Sequence, residues 1–286
     1  KILNGIIFVL MALWLIAVCY PLLFVLSCSF SSGSAITNGK VLLFPVETTL
    51  DGYKIILQYK QVWVGYANTL IITVVGTLLN MMLTVLAAYP LSRRDFKGRG
   101  IYMTILMITM FISGGMIPNY ILISNLHLLN TRWSVILSGA ISVTNTIIMR
   151  TYFQNSIPYD LYEAARLDGI TDVGYLMKIV LPLSKSILAV ICLYYAVGHW
   201  NGYFNAMLYI RDQSLYPLQV VLREIMNVGN LSMSGVEDPE VIVALQNASN
   251  QMKYALIVVS AAPLLIVYPF VQKYFEKGVM IGSVKG

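Results

Sequence analysis

The sequence predicts an all-α, polytopic membrane protein with about six transmembrane helices. Hydrophobic residues make up 58% of the chain and charged residues 11%, whereas a soluble domain has roughly 45 to 50% and about 25%. The charged residues are clustered, and the stretches between clusters are long enough to cross the roughly 30 Å hydrocarbon core of a bilayer. Continuous apolar runs favour helices, because the strands of a membrane barrel alternate apolar and polar residues.

Six stretches without Asp, Glu, Lys or Arg define the predicted spans. The fourth is the shortest, because Arg132 and Arg150 bound it. The spans are predicted at residues 6–30, 66–91, 101–123, 133–149, 186–208 and 254–271. They place the whole chain, residues 1–286, in a single transmembrane domain.

The first span is predicted to remain as a helix and not to be removed as a signal peptide. Residues 25–28 (Val-Leu-Ser-Cys) faintly resemble a lipoprotein cleavage site. The apolar run is, however, longer than the roughly 7 to 15 residues of a signal-peptide core. The chain does not begin with Met, so the sequence leaves open whether native residues precede Lys1.

The distribution of basic residues predicts the orientation of the chain. Lys and Arg accumulate in the cytoplasmic loops of membrane proteins. If both termini are cytoplasmic, twelve of the 19 Lys and Arg residues lie on the cytoplasmic side and seven lie outside. We therefore expect both termini inside, with a cytoplasmic tail at residues 272–286. This topology explains the net charge of +6, so no nucleic-acid partner is expected.

The cytoplasmic loop at residues 151–183 is predicted to form a short helical hairpin outside the membrane. Residue types that favour helix starts and ends occur at each point where a helix of the hairpin would begin or stop. These residues are Pro158, Asp160 and Glu163 at the start of the first helix, Gly169 at its end, Thr171 at the start of the second helix and Pro182 at its end.

The external loop at residues 209–253 is predicted to contain two amphipathic helices, one after Pro217 and one after the Asp238-Pro239 pair. Apolar residues recur there at helical spacing. A segment rich in Gly, Ser and Asn at residues 227–237 separates the helices and is predicted to be a flexible tip. The apolar residues are Leu218, Val221, Leu222 and Ile225 in the first helix and Val241, Ala244, Leu245 and Ala248 in the second.

Enzyme motifs are missing from the sequence. It contains no G-x-S and no G-x-x-x-x-G-K-[ST], and the two histidines, His127 and His199, cannot form H-E-x-x-H. The three cysteines have no spacing typical of a metal site or a disulfide framework, and we expect them to be packing residues. We therefore expect no catalytic residue, metal or cofactor in this chain, and we see no internal repeat or filter sequence typical of a channel.

The loop sequence EAARLDGITDVGYLMKIVLP, residues 163–182, resembles the signature of the permease subunits of bacterial ABC importers. The signature is E-A-A, three residues, G, nine residues, I-x-L-P. A match at all seven fixed positions by chance is expected on the order of once in a million chains, at roughly 5 to 10% per position. An ordinary polar hairpin with a surface Glu–Arg pair is the alternative. The matching residues are Glu163, Ala164, Ala165, Gly169, Ile179, Leu181 and Pro182.

This resemblance implies a type I ABC importer permease fold in the bacterial cytoplasmic membrane. In the family, the loop is a coupling helix that docks in a groove of an ATPase subunit. The resemblance also implies a second, different permease, two ATPase subunits and an extracytoplasmic sugar-binding protein as partners, besides membrane lipid. ATP and Mg²⁺ bind to the ATPase subunits in the family, so the resemblance implies no cofactor in this chain.

Other segments resemble the oligosaccharide branch of the family, in particular its maltose-G-type permeases from Gram-positive complex-sugar importers. They include MIPNYILISNLHLLNT, HWNGYFNAMLYI and the closing KGVMIGSVKG. His127 departs from the pattern, because the branch has Gly there. The alternative is a permease for an amino acid, peptide or phosphate, since importers of these solutes share the coupling loop. An intramembrane enzyme is a more distant alternative.

Sugar contacts are predicted from aromatic and amide side chains within the spans, because sugars bind to aromatic faces and to hydrogen-bonding amides. In the fifth span, Asn201 and Asn205 share a helix face from which Tyr203 points away. An interfacial aromatic belt and helix–helix hydrogen bonds are the alternative roles. The candidate pathway residues are Asn119, Tyr195, Trp200, Asn201 and Asn205.

Overall fold

The computed structural model describes residues 2–231 and 239–283, and every regular element in these two ranges is helical. This confirms the all-α prediction. A π-helical segment, Leu176–Val180, and a 3₁₀ turn, Gln213–Leu215, complete the regular structure. The α-helices are α1 (Ile2–Ser29), α2 (Gly33–Thr37), α3 (Asp51–Gln58), α4 (Lys60–Ser92), α5 (Arg99–Phe111), α6 (Met116–Asn125), α7 (Arg132–Leu137), α8 (Val143–Ser156), α9 (Asp160–Leu167), α10 (Asp172–Tyr175), α11 (Leu181–Leu183), α12 (Lys185–Asn201), α13 (Phe204–Tyr209), α14 (Leu218–Leu231) and α15 (Pro239–Ser283).

Three helices are long and apolar enough to cross a membrane within the described ranges. They contain Leu3–Ser29, Lys60–Ser92 and Ile242–Pro269, and they agree with the predicted first, second and sixth spans. Two further pairs of helices pass the same test but are bent, by 113° between α5 and α6 and by 84° between Asp172–Leu183 and α12. The structure therefore supports three to five spans by this criterion, and not the six predicted.

The predicted third, fourth and fifth spans are each interrupted, and the interruptions follow from local sequence. In the third, the helix ends before Gly115, which has a left-handed φ of +83°, and Pro118 falls in the first turn of α6. A proline in the first turn removes no helical hydrogen bond. In the fourth, Ser142 caps a new helix, α8, through its hydroxyl. In the fifth, α12 ends at Asn201.

His127 has a backbone conformation that glycine adopts more easily than histidine. It lies just after α6 with a φ of +54°, in the left-handed region that glycine adopts without steric cost. His127, which departs from the pattern of the resembled family, is therefore a locally strained residue at the end of α6.

The external loop differs from its prediction in two ways. As predicted, α14 begins directly after Pro217 and α15 begins at Pro239. However, α14 continues to Leu231, so the first part of the predicted flexible tip is helical, and residues 232–237 lie outside the described residues. The second amphipathic helix and the sixth span are one continuous helix of 45 residues, which also takes in most of the predicted tail.

The chain divides into two compact units. The first comprises Lys1–Tyr66 and Tyr216–Leu265. In this unit α2 and α3 pack closely on α15, because a Cβ atom on Gly33 would lie 2.5 Å from the Asn247 carbonyl oxygen and one on Gly52 would lie 2.8 Å from that of Gln251. Small residues allow such approaches between helices. The buried core of this unit includes Ile56, Val62, Leu218, Val221, Ile225, Ala255 and Leu256.

The second unit comprises Ala67–Leu215 and Ile266–Gly286. Its main core lies where α4, α8 and α12 meet the segment from α9 to α11. Aromatic residues form much of this core, so the hairpin predicted at residues 151–183 is packed against the helices that precede and follow it. The buried core residues are Ala88, Tyr89, Met149, Phe153, Tyr162, Ala165, Tyr175, Leu176, Val180, Ile191 and Tyr195.

Apolar side chains also cover the outside of the long helices. In the most apolar 18 residues of the first span, no residue is buried inside the protein. In the corresponding stretch of α4, 28% of the residues are buried. A soluble protein rarely exposes contiguous apolar surface on this scale. The exposed apolar surface supports the membrane assignment.

Candidate functional site

The predicted hairpin segment contains two helices, α9 and α10. Helix α9 ends at Leu167, and Gly169 follows with a φ of +74°, which is the left-handed conformation that glycine adopts at helix ends. The Thr171 hydroxyl then accepts a hydrogen bond from the Gly174 N–H and caps α10. The assigned start of α9 is Asp160, so Pro158 lies just before the helix and not in its first turn.

The seven signature residues divide into an exposed group and an anchoring group. Glu163 and Ala164 are exposed on α9, whereas Ala165 is buried beneath them. Ile179 and Leu181 pack against the aromatic core. The second helix of the hairpin was predicted to run until Pro182, and its last α-helical turn, α11, ends one residue later at Leu183. The residues before α11 form a π-helical segment, because proline cannot donate the next helical hydrogen bond.

The tip of the hairpin exposes apolar as well as acidic side chains. Leu167 is 90% exposed and Val173 is 71% exposed. They lie at the two ends of the Gly169 turn, near the carboxylate of Glu163 in sequence. A small knob with a carboxylate and uncovered apolar side chains has the chemistry of a docking surface.

A cation inserted among aromatic rings holds the hairpin from below. The Arg93 guanidinium carbon lies 3.2 Å from the centroid of the Tyr162 ring and 5.7 Å from that of Tyr175. Tyr162 also donates a 2.9 Å hydrogen bond to an Asp172 carboxylate oxygen. Burial, with a smaller effect of this hydrogen bond, raises the pKa of the Tyr162 hydroxyl. The neutral phenol is therefore maintained, and α9, α10 and the end of α4 are joined.

A second site is a cavity of about 380 Å³ in the same unit, on α12 and its neighbours. Three of the five predicted pathway residues, Tyr195, Asn201 and Asn205, line it. Trp200 is 5% exposed and is absent from its wall. Asn119 is exposed on α6 and is also absent from the wall.

The cavity has the predicted types of side chain but for a different geometric reason. The chain breaks at Gly202, so Asn201 and Asn205 do not share one helix face, and Tyr203 lines the cavity although we expected it to point away. The broken helix thus brings Asn201, Tyr203 and Asn205 to one wall.

Hydrogen bonds already made within the protein limit what some of these groups can do. The Tyr195 hydroxyl lies 2.7 Å from the Thr84 hydroxyl and accepts a hydrogen bond from the Ser142 N–H at 3.1 Å. The Asn205 amide nitrogen donates to the Ser138 hydroxyl at 3.0 Å. The side chain of Asn201 makes no hydrogen bond with another described residue, so its amide group is available to a solute.

Two polar residues of the cavity were missed in the sequence. Asn80 is 1% exposed on α4, and its Oδ1 atom has no hydrogen-bond partner among the described residues. The Nε2 atom of His199 on α12 is also buried and has no hydrogen-bond partner among the described residues. Both line the cavity. The available signal was the cost of an amide in the middle of an apolar span.

The described residues contain no group of three or more His, Cys, Asp or Glu side chains that could hold a metal ion. The three cysteines are free.

Comparison with known proteins identifies the family of the chain. Residues 80–281 match the family described as "Binding-protein-dependent transport system inner membrane component". The Polygalacturonan/rhamnogalacturonan transport system permease protein YtcP of Bacillus subtilis (strain 168) is 41% identical over 271 residues, 93% of this chain and 92% of YtcP. Protein LplC of the same organism is 39% identical over 269 residues, which cover 93% of this chain and 89% of LplC.

A solved structure has the same fold. A chain of a bacterial ABC transporter involved in the import of the acidic polysaccharide alginate superposes with a TM-score of 0.85 and 37% identity, and 96% of each chain is covered. The family match spans most of the chain, including the hairpin and the cavity. The chain therefore belongs to the binding-protein-dependent transport system inner membrane components, which are permease subunits of ABC transporters.

Proposed function

We propose that this chain is a permease subunit of an ATP-driven importer of oligosaccharides and forms half of its translocation pathway. The observation that carries the proposal is the 41% identity over 93% of the chain to a permease named for polygalacturonan and rhamnogalacturonan transport. The 37% identical alginate transporter chain supports the same class of solute.

The chemistry of the cavity supports a saccharide as the solute. Tyr194, Tyr195 and Tyr203 provide aromatic surface, and Asn201 provides a free amide. Saccharides bind to this combination, because their C–H faces pack on aromatic rings and their hydroxyls bond to amides. We assign Tyr195, Asn201 and Asn205 to the pathway. Trp200 and Asn119 have no support from the cavity.

We propose that the hairpin transmits the movement of ATPase subunits to the permease. Glu163, Ala164 and the exposed Leu167 would enter the ATPase groove, whereas Ile179 and Leu181 anchor the hairpin to the permease core. Burying an exposed leucine contributes about 1.5 to 3 kcal/mol. This contribution makes the exposed tip suitable for a stable contact.

The assembly follows from the same proposal. A second, different permease completes the pathway, two ATPase subunits bind ATP and Mg²⁺ inside the cell, and an extracytoplasmic binding protein delivers the saccharide. Six spans with both termini in the bacterial cytoplasm remain the proposed topology. In it, α5 with α6, α7 with α8, and α12 with α13 each form one interrupted span.

The test is purification of a tagged chain from its native membrane, followed by reconstitution of the complex in lipid vesicles. Mass spectrometry should find a second permease, ATPase subunits and an associated binding protein. With the binding protein added outside and ATP trapped inside, the vesicles should take up at least one of trigalacturonate, an alginate trisaccharide and arabinotriose. Uptake of an amino acid, a peptide or phosphate in place of all three saccharides would overturn the oligosaccharide assignment.

A further inference from the structure

One face of α4 carries polar groups without partners. Thr73, Thr77 and Asn80 recur at helical spacing and flank Gly76 on this face. The Thr73 and Thr77 hydroxyl oxygens and the Asn80 Oδ1 atom are buried and make no hydrogen bond with another described residue. A buried polar atom without a partner has a free-energy cost of about 1 to 3 kcal/mol. Such atoms therefore require another role.

The orientation of the Asn80 amide is determined by its neighbour. The Asn80 Nδ2 atom donates to the Gly139 carbonyl oxygen at 3.2 Å. A carbonyl can only accept, so the reverse orientation would place two oxygens together. Oδ1 is consequently the free atom, and only a hydrogen-bond donor can satisfy it. Asn80 and Gly139 both line the cavity.

His199 approaches the same face from α12. A Cβ atom built on Gly76 would lie 2.5 Å from His199 Nε2, so the ring fits only because residue 76 is glycine. The Nε2 atom is buried and unbonded among the described residues. An imidazole nitrogen can donate or accept a hydrogen bond, depending on its protonation and tautomer.

We propose that Asn80 Oδ1 and His199 Nε2 form a hydroxyl-binding site for the transported saccharide within this subunit. A hydroxyl group matches both atoms, because its one proton is donated to the amide oxygen and its oxygen accepts from an imidazole N–H at Nε2. A carboxylate does not match, because it only accepts and would face the free amide oxygen. This inference rests on the proposed function, and it assigns the site to sugar hydroxyls and not to an acidic group.

Uptake per ATP hydrolysed is the measurement that tests this site. The full complex is reconstituted in vesicles with its binding protein, and labelled trigalacturonate, alginate trisaccharide and arabinotriose are each supplied. The substitutions are Asn80→Leu, His199→Phe and His199→Gln. Phenylalanine keeps the ring without the nitrogen, whereas glutamine keeps a polar nitrogen or oxygen at a similar reach without the ring.

We expect His199→Phe and Asn80→Leu to lower the uptake per ATP about three- to ten-fold for the transported saccharide, which is the loss of one hydrogen bond. ATPase stimulation by the loaded binding protein should stay within about two-fold of wild type. His199→Gln should recover most of the uptake. Asn145 is a buried asparagine on α8 that does not line the cavity, and Asn145→Leu should leave the ratio unchanged.

The outcomes separate this inference from the function on which it rests. If the wild-type complex takes up none of the three saccharides, the proposed function fails and the site fails with it. If wild type transports one of them and both His199→Phe and Asn80→Leu keep the wild-type ratio, only the site is overturned, and water alone fills it. Better uptake with His199→Phe than with His199→Gln would show a packing role and would also overturn the site.

Discussion

Replacing Arg93 should loosen the hairpin that we propose as the coupling element. Arg93 follows α4 directly, and its guanidinium carbon lies 3.2 Å from the Tyr162 ring centroid and 5.7 Å from the centroids of Tyr159 and Tyr175. Its side chain is 12% exposed, so this cation is largely removed from water. We predict that Arg93→Met, which keeps the length and the apolar stem, makes the hairpin open more often.

The magnitude follows from the environment of the guanidinium. A desolvated cation–π interaction contributes about 2 kcal/mol. The ion pair with Asp95 adds little, because that carboxylate is 51% exposed and such pairs contribute about 0 to 1 kcal/mol. A loss of about 2 kcal/mol raises the population of the open hairpin roughly 30-fold, since 1.36 kcal/mol corresponds to a factor of ten.

Amide hydrogen exchange of the purified complex measures this opening in peptides that cover residues 159–175. Arg94→Met is the matched control, because Arg94 is exposed and its guanidinium carbon lies 5.4 Å from the Tyr159 centroid. Arg94→Met should raise the amide exchange rate in these peptides by about five-fold or less. Equal exchange in Arg93→Met and wild type, or equal effects of the two substitutions, would refute the cation–π argument.

Three further predictions concern coupling, topology and the cavity. Glu163→Lys should abolish ATP-dependent uptake and release the ATPase subunits in detergent, and Glu163→Gln should be milder, since a charge-assisted hydrogen bond contributes about 1.5 to 3 kcal/mol. In a cysteine-free background, a cysteine at Lys97 should resist an impermeant thiol reagent in intact cells, and one at Lys40 should react. Gly76→Val should displace His199 and lower uptake about ten-fold or more, measured in vesicles.

Each of these has its own control and contradicting result. Normal uptake with Glu163→Lys would remove this residue from coupling, with Glu240→Lys as the control for a charge reversal elsewhere. Reversed labelling at the two cysteine positions would reject the orientation and the coupling assignment together. Gly100→Val is the control for Gly76→Val, because an added Cβ at position 100 meets nothing within 4 Å and Gly100 does not line the cavity. Equal uptake in the two glycine variants would contradict the close approach of His199.

The hairpin was predictable because its signals are local. A left-handed glycine at position 169, a threonine cap at 171 and a proline at 182 act within one or two helical turns. The family resemblance was carried by the same short segment, and the family match confirms it. Long apolar runs likewise predicted α1, α4 and the membrane part of α15.

The interruptions of the middle spans were harder to predict from the sequence. Hydropathy measures how apolar a segment is and not whether its backbone continues as a helix. Residues 101–123 are apolar on both sides of Gly115, so a bend of 113° leaves no mark in hydropathy. The same holds for Gly202, which places Tyr203 in the cavity wall instead of on the opposite face.

The sequence by itself determined the membrane character, the helical class, the hairpin and the family of this protein, because these depend on composition and on contacts between near neighbours. Only the tertiary structure decided which polar residues face the cavity and which aromatic rings surround Arg93. Asn80 and His199 are 119 positions apart. The role that we propose for both residues depends on the contact between α4 and α12 at Gly76. No local pattern in either helix encodes this contact.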